Sequence, residues 1–318
     1  MSDITLSLIA DIGGTNARFA LVGPDGAFAE RVLRCADYAS LADAAKAYLA
    51  QQNGLVRPAR AAFAVASPVT GDIIRMTNLP WEFSIANVRR ELELERLDVI
   101  NDFTAVALSM PELGPDDLAQ VGDGAPVAQA PVGVLGPGSG LGVSALIPGI
   151  QGWTALATEG GHVTMAPVSD REGAVLAQLR KRFEHVSAER VLSGPGLVNL
   201  YEALVVIDGR EPEQLTAAEI STRGLEGRDP ASQEALEMFC AMLGTVAGNL
   251  ALTLGARGGV YVAGGIAPKI LSFLRHSRFR KRFVEKGRMR DFLGPIPTYV
   301  VTHPYPAFVG LQAQLRKS

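Results

Sequence analysis

The pattern of apolar and polar positions divides the chain into two α/β halves, each of which opens with short strands around a glycine-rich turn. Residues 4 to 35 read as three strands of a meander, with Pro24-Asp-Gly26 as the second turn. Ser40 caps a predicted helix that runs to about Gln52, and Arg60 to Ser67 forms a strand that ends at Pro68. Three strands, a helix and a strand are the opening half of a ribonuclease-H-like fold.

The pattern then places two polar residues directly after a buried strand. The predicted elements are a hairpin or cleft loop over 71–81, a helix over 84–94, a short buried strand over 97–100 and a helix over 103–110. The strand delivers Asn101 and Asp102 at its carboxyl end, where side chains project over the edge of a sheet.

Residues 111–131 are rich in Pro, Gly, Asp and Gln and lack periodicity, so they are predicted to carry the crossing between two domains. We expect a small α/β domain of residues 1–112, joined by a C-terminal helix over about 303–318. A large α/β domain of residues 113–302 completes the chain. The last helix, from about Phe308, is expected to cross back onto the small domain.

The large domain repeats the motif of strand, glycine turn and strand before it becomes mainly helical. Its predicted strands are the pair around Gly136, one before Glu159, and those over 259–265 and 298–302. Its predicted helices cover 170–182, 187–203 with an interruption at 194–196, and 231–255.

Composition narrows the class of protein. At 318 residues with 47% hydrophobic content, the chain is long enough for two domains that share a cleft. A net charge of −3 and a pI near 5.9 give no excess of basic residues to attract nucleic acid or an anionic membrane. A small-molecule partner is therefore expected. Cys35 and Cys240 are too few for a disulfide framework or a cysteine-based zinc site, and they suit a reducing compartment. No basic segment precedes the first apolar run, so no signal peptide is expected and the predicted location is cytoplasmic.

Two further segments have alternative interpretations. Residues 238–254 carry no charge, but Asp229-Pro230 supplies a helix start, which favours a buried core helix over a membrane span. Gly244, Ala247, Gly248 and Ala251 form a small-residue stripe on this helix, which lets another element pack close to it. The run from 275 to 290 holds eight Lys or Arg residues, read as a solvated helix face, with a role near nucleotide or subunit contacts as the alternative.

The two glycine turns are the candidate phosphate sites. Gly13 and Gly14 follow Asp11 and precede Thr15, so backbone N–H groups could converge on an anion while Asp11 reaches Mg²⁺ through water. The second turn contains Ser139 and four glycines at 136, 138, 140 and 142. Either turn alone fits an ordinary hairpin. Actin-like, hexokinase-like ATPases, however, use a pair of such turns to hold a polyphosphate between two lobes. No G-x-x-x-x-G-K-[ST] motif is present as a competing phosphate site.

Asp102 is the candidate general base, because a carboxylate that accepts a proton can aim a hydroxyl at a phosphoryl group. The alternative is that Asp102 only caps the helix that follows. Asn101 beside it offers a donor and an acceptor to hydroxyl groups.

Three other positions are candidates for ligand contacts. Glu159 and His162 flank two glycines and could bind sugar hydroxyls, or they could be a surface Glu and a structural His. Glu189 would lie in the first turn of a helix, where a Glu is most often a surface charge favoured by the helix dipole. Gly264 and Gly265 end a strand, so a base or ribose could lie flat on them, although tight strand-to-helix packing explains them as well.

Six stretches in this order resemble the bacterial glucokinase family of the hexokinase and actin-like superfamily, and the resemblance runs essentially end to end. The group of repressors and open-reading-frame kinases differs, because it has a cysteine-rich zinc segment that two isolated cysteines cannot form. The stretches that carry the resemblance are 11–18, 100–106, 136–142, 159–162, 187–201 and 258–266. The second turn reads Gly-Pro-Gly-Ser where a small residue or Thr is expected in places.

The resemblance implies a two-lobed actin-like, ribonuclease-H-like ATPase fold with mixed sheets and an interdomain cleft that closes on the hexose. It implies phosphorylation of glucose at O6 with ATP and Mg²⁺, and a homodimer. By the same likeness Asp102 is the base and Asp11 the metal contact. The implied glucose contacts are Asn101, Asp102, Glu159, His162 and Glu189. The implied ATP contacts are Ala10, Asp11, Ile12, Gly13, Gly14, Thr15, Gly138, Ser139, Gly140, Gly264 and Gly265.

Three rival functions stay open on sequence grounds. The first is a kinase for another hexose such as mannose, glucosamine or fructose. The second is a non-catalytic sugar sensor or transcription regulator on the same fold, for which no residues before the first strand supply a helix-turn-helix. The third is an actin-like filament ATPase that hydrolyses ATP without sugar.

Overall fold

The computed structural model describes residues 6–52, 57–150 and 152–317, and these residues divide into two compact units. Unit 1 contains residues up to Leu113 together with His303 onward, and unit 2 contains Gly114–Thr302. The predicted start of the first strand at residue 4 lies outside the described residues.

Unit 1 is a mixed five-stranded sheet with helices packed on it. Its elements are β1 (Ser7–Ile12), β2 (Asn16–Gly23), β3 (Gly26–Arg34), α1 (Leu41–Ala50), β4 (Arg60–Val65), β5 (Ile73–Arg75), β6 (Glu82–Ser84), α2 (Ile85–Glu91), β7 (Arg96–Asn101) and α3 (Asp102–Ser109). The strand order is β3-β2-β1-β4-β7, and β5 and β6 form a separate hairpin. The predicted meander, the Ser40 cap and the hairpin are confirmed.

Unit 2 is a mixed six-stranded sheet that is covered mainly by helices. Its elements are β8 (Leu118–Gln120), β9 (Val132–Pro137), β10 (Leu141–Gly149), β11 (Gly152–Ala157), α4 (Asp170–Leu179), α5 (Gly194–Ile207), α6 (Ala217–Leu225), α7 (Pro230–Leu254), β12 (Val260–Val262), α8 (Leu271–His276), α9 (Phe279–Val284), α10 (Arg290–Leu293) and β13 (Thr298–Val301). The strand order is β11-β10-β9-β12-β13-β8. Strand β8 and helix α6 were not predicted from the sequence. Strand β8 is only three residues long, whereas α6 begins with a capping box of Thr216 and Glu219, a start signal that the sequence contains.

The last helix, α11 (Pro306–Arg316), belongs to unit 1. It packs against α3, and the approach is so close that a β-carbon on Gly310 would lie 1.7 Å from the carbonyl oxygen of Ala105. A glycine is therefore required where the chain returns to the first unit.

Helix α7 is the central helix of unit 2. It is long and apolar enough to span a membrane by length and composition, yet most of it is buried inside the unit, which confirms the core-helix interpretation. The small-residue stripe receives α9, since β-carbons on Gly244 and Gly248 would lie 2.1 Å and 2.5 Å from the carbonyl oxygens of Phe279 and Phe283.

The prediction that the basic run is simply a solvated face is wrong for three of its residues, Arg280, Arg282 and the half-buried Lys286. Arg282 is 3% exposed and pairs with the buried carboxylate of Glu172, while its second nitrogen donates to Thr245 Oγ1 at 2.7 Å. Arg280 donates to the carbonyl oxygens of Asp123, Gly294 and Ile296. The remaining members of the run are exposed. Charge counts alone do not show which side chains of a short helix face its neighbour.

Candidate functional site

The carboxyl ends of three parallel strands meet at one edge of the unit 1 sheet. Strand β1 pairs with β4 and β4 with β7, in a register that aligns Ile12, Val65 and Asn101. The residues that follow these strands therefore lie side by side at this edge, which is where open α/β sheets bind ligands. The first glycine turn and Asp102 are brought together by this register.

The first glycine turn connects β1 and β2 tightly. The Gly13 N–H donates to the Asn16 carbonyl oxygen at 2.9 Å, and the Cys35 N–H donates to the Thr15 carbonyl oxygen at 2.9 Å. Within the described part of the chain, the N–H groups of Gly14 and Thr15 donate to no other residue. These two amides, rather than that of Gly13, are available to an anion.

The Asn101 side chain, not that of Asp102, caps helix α3. Asn101 Oδ1 accepts hydrogen bonds from the N–H groups of Phe103 at 2.9 Å and Thr104 at 3.2 Å. Asp102 is the first residue of the helix, and its Oδ1 accepts from the Phe103 N–H at 2.8 Å. The alternative in which Asp102 serves only as the cap is therefore wrong, because its neighbour already performs that task.

Two carboxylates at this edge have raised pKa values. Burial raises the pKa of Asp102 to about 6, the negative charge of Asp11 acts in the same direction, and the hydrogen bond from the Phe103 N–H opposes both. Burial also raises the pKa of Asp11, against the opposing effect of Arg18, whose guanidinium lies 3.5 Å from Asp11 Oδ2. A carboxylate with a pKa near neutrality is suited to accept a proton from a hydroxyl.

Arg18 was not singled out from the sequence. It faces Asp11 directly in the antiparallel register of β1 and β2, and its guanidinium lies 5.9 Å from the centre of the Tyr305 ring. The predicted turn could have identified Arg18, because residues equidistant from a tight turn lie opposite one another in a hairpin.

The second glycine turn, in unit 2, is held by a carboxylate. The Gly138 N–H donates to the Gly140 carbonyl oxygen at 2.8 Å, and the Leu141 N–H donates to Glu189 Oε2 at 2.8 Å. A β-carbon on Gly140 would lie only 2.5 Å from that Glu189 oxygen, so a side chain there would displace the carboxylate from the turn. Among the described residues, no atom lies within 4 Å of the position that a β-carbon on Gly138 would take.

The predicted helical position of Glu189 is wrong. Helix α5 begins at Gly194, with Ser193 as its cap, and residues 187–193 form turns before it. The Ser187 signal resembled a cap, but Gly194-Pro-Gly196 starts the helix rather than interrupting it. Glu189 instead joins two turns, because its N–H donates to the Gly161 carbonyl oxygen at 2.9 Å while its carboxylate holds the turn at Gly140.

Glu159 and His162 lie on a short 3₁₀ turn that packs against β10. The His162 N–H donates to the Glu159 carbonyl oxygen at 3.0 Å, and the two side chains approach to 4.0 Å while staying 55% and 60% exposed. A β-carbon on Gly161 would lie 2.0 Å from the Leu141 carbonyl oxygen. The turn therefore presents two polar side chains outward from a tightly packed backbone.

Gly264 and Gly265 follow β12, which pairs in parallel with β9. Gly264 has a φ of 82°, and a β-carbon there would lie 2.5 Å from the Pro137 carbonyl oxygen. A β-carbon on Gly265 would meet no atom of the described residues within 4 Å. Close packing therefore accounts for Gly264, while Gly265 leaves room for a flat group, and unit 2 gathers all its predicted site residues around the end of β9.

No group of three His, Cys, Asp or Glu side chains that could hold a metal ion occurs in the described ranges. Asp11 is a single carboxylate already beside Arg18. Asp11 could therefore hold Mg²⁺ only as nucleotide enzymes usually do, with one or two carboxylates, water molecules and substrate phosphates completing the coordination of the ion.

Comparison with known proteins identifies relatives along the whole chain. The family model described as Glucokinase matches residues 8–318. The chain is 60% identical over 306 residues to a glucokinase of Paramagnetospirillum magneticum, covering 96% of this chain and 95% of that protein. It is 52% identical to a glucokinase of Chromobacterium violaceum, over 97% of this chain and 88% of that one.

Solved structures agree with the fold. The crystal structure of a glucokinase from an Antarctic psychrotroph is 37% identical, with a TM-score of 0.89 over 99% of this chain and 100% of that one. A glucokinase of Balamuthia mandrillaris solved in complex with glucose is 19% identical, with a TM-score of 0.82 over 100% and 96% of the two chains, and it supports the fold alone.

Proposed function

This chain belongs to the glucokinase family, and from that premise we propose that it transfers the γ-phosphoryl group of ATP to O6 of glucose, with Asp102 as the general base. The phosphoryl-transfer transition state requires positioning and electrostatic stabilisation more than covalent chemistry. The proposal therefore depends on which groups aim the sugar hydroxyl and which hold the phosphates.

The environment of Asp102 is the observation that carries the proposal. Its carboxylate lies at the carboxyl edge of the parallel strands, next to the first glycine turn, with a pKa raised to about 6 by burial and by the charge of Asp11. Near neutral pH this carboxylate is mainly ionised, and its raised pKa makes it a better proton acceptor than an ordinary carboxylate, as a general base must be. Because Asn101 caps α3, Asp102 makes only one hydrogen bond to the helix end among the described residues, from the Phe103 N–H to Oδ1, which leaves Oδ2 for a hydroxyl proton.

The sugar contacts follow from the polar side chains that each unit presents. In unit 1 we assign Asn101 and Asp102 to glucose hydroxyls. In unit 2 we assign Glu159, His162 and Glu189 to glucose hydroxyls. Glu189 bonds to the turn at Gly140 and to the turn at Gly161, which carries Glu159 and His162. Fixed donors and acceptors are needed because each sugar hydroxyl loses its water partners on binding.

The phosphate contacts follow from the glycine turns. We assign the N–H groups of Gly14 and Thr15 and the turn of Gly138, Ser139 and Gly140 to phosphates, and Gly265 to the adenosine side. Asp11 would hold Mg²⁺ through water, and the ion would supply charge neutralisation at the phosphates. Arg18 keeps the buried Asp11 charge compensated.

A cytoplasmic location and a homodimer complete the proposal. A reducing compartment fits two cysteines that are both free and buried. The homodimer rests on family likeness, and sedimentation of the purified chain measures it.

The test is the Asp102→Asn variant. We expect turnover to fall by a factor of about 10² or more while glucose affinity stays nearly unchanged, because the amide keeps the shape but accepts no proton. Asp25→Asn is the matched control, since Asp25 is exposed in the turn between β2 and β3 of the same unit. An Asp102→Asn protein that turns over like the unmodified chain excludes Asp102 as the base.

A hexose panel tests the substrate. ADP production is measured with glucose, mannose, glucosamine and fructose, each with and without Mg²⁺. Preference for another hexose would replace glucose in the proposal, and ADP production without sugar, accompanied by sedimentable polymer, would indicate a filament ATPase instead.

A further inference from the structure

Two segments on either side of α4 are paired along their length in unit 2. The Met165 N–H donates to the Val186 carbonyl oxygen at 3.0 Å, and the Ala188 N–H donates to the Val163 carbonyl oxygen at 2.8 Å. Thr164 and Ser187 form an antiparallel bridge between them. The pairing ends where Glu189 donates to Gly161, so it aligns the turn of Glu159 and His162 with Glu189.

One side chain in this pairing contacts the proposed sugar-binding turn directly. The Nε2 atom of His185 lies 3.1 Å from the carbonyl oxygen of His162. A carbonyl oxygen only accepts, so the His185 ring must donate, through an Nε2–H that both the imidazolium and one neutral tautomer carry. The other end of the turn is closed by the bond from the His162 N–H to the Glu159 carbonyl oxygen.

The bond to His185 fixes the peptide plane that follows His162. The backbone of the turn is already constrained beneath by the contact of Gly161 with Leu141. The His162 side chain itself is 60% exposed and, among the residues that the structure describes, has only the distant Glu159 carboxylate as a partner, so its direction depends on its backbone. Holding a binding side chain in its bound orientation lowers the entropy cost of binding.

From these contacts we propose that His185 is a positioning residue for glucose binding, which acts by holding the His162 carbonyl and thereby orienting the turn of Glu159 and His162. The inference rests on the proposed function, because it takes this turn to be part of the glucose site. His185 is itself exposed and follows α4, outside the set of residues assigned to either substrate.

The test compares His185→Leu with His185→Gln. Leucine has a similar size but no donor, whereas the amide nitrogen of glutamine can reach the place of Nε2. We expect the leucine variant to raise the KM and the calorimetric Kd for glucose about 3- to 10-fold, the range of a single hydrogen bond, with the KM for ATP unchanged. The glutamine variant should return glucose affinity to within about twofold of the unmodified chain.

Glu184→Gln is the control, because this exposed neighbour alters charge at the adjacent position. Unchanged glucose affinity in His185→Leu overturns the inference, as does equal weakening by leucine and glutamine or a matching loss of ATP affinity. His162→Ala and Glu159→Gln are measured in parallel. If neither weakens glucose binding, the assignment of the sugar site fails, whereas a loss in those two but not in His185→Leu overturns only the role of His185.

Discussion

The two units follow one strand plan but stabilise their glycine turns by different means. In both sheets an antiparallel hairpin around the turn pairs with a parallel strand, β1–β2 with β4 and β9–β10 with β12. In unit 1 the turn approaches no other backbone closely, since a β-carbon on Gly13 would meet its nearest atom at 3.5 Å and one on Gly14 would lie 2.9 Å from the Asn78 β-carbon, a side-chain atom. In unit 2 the turns are interlocked, with the corresponding distances at Gly140 and Gly161 only 2.5 Å and 2.0 Å.

The two units also differ in the carboxylates beside their glycine turns. Unit 1 places two carboxylates with raised pKa values, Asp11 and Asp102, beside its turn. In unit 2 the carboxylate at the turn, that of Glu189, accepts a backbone hydrogen bond from Leu141. Unit 1 therefore has carboxylates whose charged form is destabilised, as the proposed proton transfer to Asp102 needs, whereas unit 2 uses its carboxylate to hold the backbone of a turn.

Alanine at one glycine of each unit tests the packing half of this comparison and carries the largest expected effect. Gly161→Ala should destabilise the protein by about 3 kcal/mol or more, because its β-carbon overlaps a backbone carbonyl that cannot move alone. Gly13→Ala should change stability by less than about 0.5 kcal/mol. Urea unfolding of the two variants measures both, and equal losses would remove the difference between the units.

The pH dependence of kcat/KM tests the electrostatic half. Because the base must be ionised and the pKa of Asp102 is about 6, kcat/KM should fall about tenfold per pH unit below that value and level off above it. Asp11→Asn should move the midpoint to lower pH, since it removes one of the two causes that raise this pKa, whatever it does to the plateau. A midpoint that stays in place, as it should in Asp25→Asn, would contradict coupling between the two carboxylates.

The stability of Asp102→Asn provides the smallest and most specific test. A carboxyl group whose pKa is higher in the folded state than in the unfolded state binds more protons when folded, so it lowers stability as pH rises from about 4 to about 6. Asp102→Asn should therefore match the unmodified chain below pH 4 and exceed its unfolding free energy by about 1 to 3 kcal/mol above pH 7. Urea unfolding at both pH values measures this difference. A variant that is less stable than the unmodified chain at high pH would show that the ionised Asp102 carboxylate does not destabilise the folded state.

Much of the fold could be predicted because its signals are local. Asp229 caps α7, Pro230 is its first residue and Gly255 ends it in the left-handed region with a φ of 61°, as their sequence order indicates. The strands around both glycine turns were predicted for the same reason. The start of α5 was misplaced because two serines six residues apart, Ser187 and Ser193, both resemble caps, and only the Thr164–Ser187 bridge distinguishes them.

The sequence by itself determined most of the strands and helices, although not β8 and α6, and it determined the two glycine turns and the family, since these depend on neighbouring residues and on six motifs in a fixed order. Only the tertiary structure decided that Asn101 rather than Asp102 caps α3, that Glu189 holds the turn at Gly140, and that Arg282 is buried against Glu172. The physical reason is that a side chain's burial, partners and pKa are set by groups far away in the sequence. The raised pKa of Asp102 arises where strands β1 and β7 reach the same edge of a sheet, which no single stretch of sequence specifies.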